Sequence, residues 1–243
     1  MYLNRYVLLI GLLICSDAAV ADKASGLPMR LVLGYLPPIN CENTMVGARC
    51  VNNKVAERLQ YFSGVHIKTQ LVPYARAVRM LESGQADIGL MLENDKVSDN
   101  VVPVAKVYGI VLSIYTRADV DHLTHEQLRV GVLRGQGDNI IGRIAGARQI
   151  ELAEYQQGVE MLALGRLDAV LGPDETLMFL FGQYQMSHML NPQPLVQFGQ
   201  EVWLYCRRDS CGAQRLRQLQ KAIDDVQPEM PGIMQVAPAA YYE

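Results

Sequence analysis

A pair of histidines, a glycine-flanked loop, a set of cysteines and a repeated aspartate are the residues whose spacing could do chemistry in this chain. His122 and His125, in DHLTHEQL, have a spacing that metals can use. Thr124 followed three residues later by Gln127 is also a helix-capping box, and that favours a solvated turn. Gly135-Gln136-Gly137 follows an apolar run as a dinucleotide-binding loop would, but Ile140 stands at the third glycine position. No Gly-x-Ser-x-Gly elbow, Walker loop or HExxH motif occurs. No metal and no cofactor is expected.

Of the five cysteines, Cys15 lies in a segment that reads as an export signal. Arg5 supplies a positive start, residues 7–14 a short apolar run, and Ala19-Val20-Ala21 small residues before a cleavage point. The run is well short of the roughly 20 residues a spanning helix needs. Cys15 leaves a lipid-anchored start open, with Ile14 a poor residue before it. Residues 1–21 are therefore expected to be a signal peptide and the mature protein periplasmic. Cys41, Cys50, Cys206 and Cys211 remain, and three pairings are open to them. Cys41–Cys50 and Cys206–Cys211 close the smallest loops, and neither spacing is that of a zinc site.

The aspartates lead to the elements that must position everything else. Residues 78–90 read VRMLESGQADIGL and residues 159–171 read VEMLALGRLDAVL. Val78, Met80, Leu81, Gly84 and Asp87 thus match Val159, Met161, Leu162, Gly165 and Asp168, all 81 positions on. Each copy predicts an amphipathic helix ended by glycine, a turn, and a buried strand. Asp87 and Asp168 sit where a carboxylate accepts local backbone N–H groups, a structural role. A second match, IYTRAD at residues 114–119 and LYCRRD at 204–209, lies 90 positions apart. Two similar units, each followed by a similar strand, predict a bilobal protein that binds something in its cleft.

Strand and helix patterns alternate along the chain. Strands are expected at residues 29–34, 65–72, 107–115, 129–133 and 196–205. Helices are expected at 51–62, 176–184 and 213–226 besides the two repeats, and the order is α/β throughout. A loop at 134–139 opens a helix, and the tail beyond residue 226 packs back on the first lobe. Half the residues are hydrophobic and the net charge is −3, which fits a globular chain and gives no nucleic-acid surface.

PYARAVRMLESGQADIGL, RVGVLRGQG and GRLDAVLG, in this order of elements, resemble the family 3 periplasmic solute-binding proteins, which include the amino-acid-binding components of ABC importers. The resemblance spans essentially the whole mature chain. It implies two similar α/β lobes joined by two crossover strands, lobe 1 from residues 22–112 plus 206–243 and lobe 2 from 113–205. Such lobes close on a ligand by a hinge. It also implies no enzyme activity, a monomer, a small-molecule ligand, and a membrane permease or membrane sensor protein as partner.

The same resemblance suggests the contacts. Tyr35 is similar to an aromatic at the cleft edge, and Tyr74 and Arg76 to an aromatic-x-Arg-Ala before the repeated helix. Gln136, Gly137 and Asp138 match a loop whose N–H groups face an anionic group. Asp174 lies near the carboxylate that meets a ligand ammonium, and Glu93 could serve a cation or donor. Arg76 could equally pair with Glu82 or Asp87. The family's arginine for an α-carboxylate is missing, because residues 93–98 read ENDKVS. Lys96 cannot supply that fork geometry, so a standard α-amino acid is disfavoured. A sensor subunit and a cyclohexadienyl-type dehydratase, with Glu93 and Asp174 as acid and base, are the alternatives.

Overall fold

The computed structural model describes residues 27–40, 50–94, 97–120, 123–136 and 142–235. Eight strands form one mixed sheet in the order β2-β1-β3-β8-β4-β7-β5-β6. The first half holds β1 (Met29–Gly34), α1 (Val51–Ser63), β2 (Ile67–Val72), α2 (Tyr74–Ser83) and β3 (Ile88–Leu92). β4 (Val101–Thr116) leads into β5 (Arg129–Leu133), β6 (Arg148–Leu152), α3 (Tyr155–Ala163), β7 (Ala169–Pro173) and α4 (Asp174–Gln183). β8 (Val196–Arg207) returns, and α5 (Ala213–Val226) and the short α6 (Met230–Met234) pack on α1.

The order is symmetric about the β8–β4 pair. β1 lies between β2 and β3, parallel to both, and β5 lies between β6 and β7 in the same way. β3 meets β8 antiparallel with Gly89 opposite Tyr205, and β7 meets β4 antiparallel with Val170 opposite Tyr115. Those two pairs are related by the same offsets of 81 and 90 that the sequence repeats carry. The duplication therefore reaches down to strand register.

Local causes are plain. α2 buries Tyr74, Ala77, Met80 and Leu81, the spacing of one helix face, against β1 and β3. It ends at Gly84 with φ 81°, a left-handed conformation that glycine adopts without strain. All five residues of β3 and of β7 are buried, as strands covered on both faces require.

Several expectations need correction. β4 begins at residue 101, six earlier than its apolar run, because Pro103 and Lys106 fall at irregularities in the pairing with β8. α4 starts at Asp174 rather than 176, and β6, with only Leu152 fully buried, carries too little apolar signal to be expected. Asp87 and Asp168 are structural, but their partners are not local. Asp87 accepts the Arg30 backbone N–H at 2.8 Å and its Nε–H and Nη2–H at 3.0 and 2.9 Å. Asp168 accepts the corresponding three from Arg129 at 2.9, 2.8 and 2.6 Å. Each arginine also donates at 2.9 Å to the carbonyl of the left-handed glycine at the helix end, Gly84 at the first cap and Gly165 one residue after the Leu164 cap of the second. A carboxylate at the foot of one strand thus ties down the foot of its neighbour.

Cys206 and Cys211 form a disulfide with Cα atoms 6.3 Å apart. Cys41, Lys96, His122, Gly137, Asp138, the export segment and the end of the C-terminal tail lie outside the described residues, so the expectations on them have no structural counterpart. The described part of the segment after residue 139 is a 3-10 turn, Gly142–Ile144. One arm of the capping box at Thr124 is formed, with the Gln127 side chain accepting the Thr124 backbone N–H at 2.9 Å, whereas the Gln127 N–H bonds the Thr124 carbonyl and not its hydroxyl.

Candidate functional site

Strand direction gathers the candidate residues. Tyr35, Tyr74, Glu93, Gln136 and Asp174 all follow the carboxyl ends of strands, β1, β2, β3, β5 and β7 in turn. In open α/β sheets that edge is where ligands bind. The registers bring the two edges together. β3 ends with Leu92 opposite Val202, which itself pairs with Tyr108 on β4. β7 runs the opposite way and ends with Pro173 opposite Leu112. Only Gly109, Ile110 and Val111 of β4 separate the two levels, and these three residues line a cavity of about 300 Å³ shared with Ile39, Asp174 and Met234. That volume suits a small ligand.

Asp174 is the organised group of this cavity. Its Oδ1 accepts the Ser113 and Tyr115 hydroxyls, both at 2.8 Å, and a longer contact from Gln197 Nε2 at 3.5 Å. Ser113 and Gln197 face each other across β4 and β8, and Gln197 also donates to the Ser113 hydroxyl at 3.0 Å. The carboxylate is thus fixed to both central strands by neutral donors. Glu93 holds the equivalent place after β3. Its N–H bonds Glu201 and its carbonyl accepts from Gln200 of β8.

Tyr74 and Gln136 are spent inside the protein. The Tyr74 ring is buried, and its hydroxyl accepts the Leu92 N–H at 3.1 Å. Burial pushes that hydroxyl's pKa well up. Gln136 is fully buried, accepts the Leu133 N–H at 3.1 Å and donates to the Tyr155 hydroxyl at 2.6 Å, while its own N–H is taken by Leu133. It braces the strand end and offers no free polar atom. Arg76 is exposed on α2, and the carboxylates offered as its alternative partners are turned to other groups. Asp87 is held by Arg30, and Glu82 accepts the Ser98 N–H. Tyr35 is half-buried, its N–H bonded to Val72 at the end of β2.

The two halves touch directly here. A Cβ at Gly135, after β5, would lie 3.3 Å from the Ala75 Cα and 3.7 Å from the Tyr74 ring, at the start of α2. Tyr155, which opens α3, was not foreseen as a site residue. It lies 81 positions beyond Tyr74, so the repeat carried four residues upstream would have found it. Tyr115 is matched by Tyr205 in the repeat 90 positions on, which marks its place but not its hydroxyl's partner, and Ser113 and Gln197 have no such signal. Among the described residues no group of three or more metal-ligating side chains is assembled, and no helix is long and apolar enough to cross a membrane.

No protein-family model and no curated protein matches the sequence. Solved structures do match. An ancestral arginine-binding protein bound to arginine superposes with a TM-score of 0.71 at 17% identity, covering 86% of this chain and 96% of that one. The substrate binding protein of an amino acid ABC transporter gives 0.68 at 13%, covering 86% and 97%. A histidine kinase sensor domain with similarity to periplasmic binding proteins gives 0.70 at 14%, covering 87% and 96%. The chain has the bilobal α/β fold of the type II periplasmic binding proteins. At these identities the likeness defines the fold.

Proposed function

We propose that this chain is a periplasmic solute-binding protein that captures a small charged or polar molecule between two lobes, residues 22–112 plus 206–243 and residues 113–205, and closes on it. The observation that carries this is the convergence of the carboxyl ends of β3 and β7 on residues 109–111, which line a cavity with Ile39, Met234 and a fixed carboxylate, Asp174. Delivery to an ABC importer follows the arginine-binding and transporter-associated structures that share the fold. Export through cleavage after residue 21 and a monomeric state belong to the same reading, as does binding without catalysis. The sensor-domain likeness supports a second reading, in which the closed form docks on a membrane signalling protein.

The test is a thermal-shift screen with amino acids, amines, organic acids and small sugars. A ligand at 100 times its Kd stabilises the folded state by about 2.7 kcal/mol. Gly109→Leu supplies the control, since a Cβ there meets nothing nearer than the Gln200 carbonyl at 3.9 Å, and its side chain would take up cavity space. A saturable shift lost in that variant supports the cleft. A shift that survives it places the ligand elsewhere and removes the proposal.

A further inference from the structure

The chemistry of the cavity wall narrows the ligand class; this step rests on the cleft reading above. Asp174 and Glu175 stand side by side on the wall, and the rest of the lining used here, Ile39, Val111 and Met234, is apolar. Among the described residues no lysine or arginine lines the cavity. The Asp174 carboxylate sits in the first turn of its helix, after Pro173 at the cap position, and is turned onto the hydroxyls of Ser113 and Tyr115. Neutral donors orient a carboxylate without cancelling its charge, so the complementary group is a cation.

Among the described residues, the cavity wall does not carry the partner groups an α-amino acid would need. Gln136 has its N–H and both ends of its amide engaged by Leu133 and Tyr155, and Arg76 lies outside the lining. A ligand carboxylate in this cavity would face the Asp174 carboxylate, whose described partners are the neutral side chains of Ser113, Tyr115 and Gln197, and like charges at short range repel. We infer that the cavity takes an organic cation without a carboxylate, an amine or guanidine on a short hydrocarbon body, with Asp174 meeting the charge and Ile39, Val111 and Met234 covering the chain.

Matched probes isolate the point. Agmatine and cadaverine are arginine and lysine without the α-carboxylate, and all four are titrated calorimetrically into the mature protein, Asp174→Asn and Gly109→Leu. Unliganded melting curves check that each variant folds. The expected result is agmatine or cadaverine binding at least tenfold tighter than its parent amino acid. Asp174→Asn weakens the amine at least tenfold, and Gly109→Leu abolishes its binding. An amino acid that binds as tightly as its amine, and is blocked by Gly109→Leu, overturns the ligand class and leaves the cleft standing. Amine binding that ignores Gly109→Leu overturns both. No binding by either amine overturns the ligand class, and the broader screen then decides the cleft on its own.

Discussion

Tyr155 occupies in the second half the place that Tyr74 occupies in the first. Each opens a helix after the strand that borders its half of the sheet, each ring is buried, and each hydroxyl accepts a hydrogen bond, from Gln136 and from the Leu92 N–H respectively. Burial, with Tyr74 nearby, pushes the Tyr155 pKa well above its ordinary value. Tyr74→Phe leaves a buried backbone N–H without its acceptor and should cost about 1–3 kcal/mol. Tyr155→Phe strands only one side-chain amide hydrogen, and about 1 kcal/mol is expected. Urea unfolding of both variants measures the difference.

The paired struts predict an asymmetry. Asp168 is nearly inaccessible, with 5% of its side chain exposed, whereas 16% of Asp87 and half of Arg30 are open to water. Removing the carboxylate takes charged hydrogen bonds from an arginine that water still reaches, so Asp168→Ala should lose about 2 kcal/mol, and Asp87→Ala less. Thermal unfolding of the two alanine variants gives the order. An equal or reversed order would mean that side-chain burial does not set the worth of these ties.

Acid should act through the same pair. Hydrogen bonds from Arg129 hold the Asp168 carboxyl below its usual range against the opposing effect of burial. At Asp87 burial pushes upward, and hydrogen bonds from Arg30 and Ser210 outweigh it and also leave the carboxyl low. A carboxyl depressed by folding contributes stability in full above its unfolded value, about 3.9, and loses it as pH falls through the folded value. The unfolding free energy should therefore drop below about pH 4. Asp168→Asn should be less stable at neutral pH and flatter across that acid limb, as read by denaturation at a series of pH values.

Gly135 reports on the contact between the halves. Its φ of 86° and its closeness to Ala75 leave no room for a branched side chain. Gly135→Val should push the start of α2 away from the loop after β5. The expected signs are a larger radius of gyration in solution scattering and at least tenfold weaker binding of any cleft ligand. Unchanged scattering would mean that the two halves do not use this contact.

The repeat made the fold legible. Residues 78–90 and 159–171 carry helix, capping glycine and buried strand in a form that survives without a family model, because each step is fixed by local burial and backbone conformation. The placement of Tyr74, Gln136 and Asp174 at strand ends was legible for the same reason. Their bonding was not. Whether the Gln136 amide faces a ligand or the Tyr155 hydroxyl depends on a residue 19 positions away, and the Asp174 oxygen is held from residues 113, 115 and 197. Such cross-chain partners leave no periodicity. β6 was missed because its alternation runs only from Gln149 to Leu152 and supplies just two apolar residues, Ile150 and Leu152.

The strand order also governs when the molecule can assemble. β4, β7, β5 and β6 come from one unbroken stretch and pair with one another within it, but β3 and β4 both lack an inner neighbour until β8 arrives, more than a hundred residues after β3. Contacts of such long separation form slowly, because the chain must close a large loop before they reward it. The N-terminal half thus waits for the C-terminal end, and a chain emerging amino end first stays open along that edge until nearly all of it has emerged.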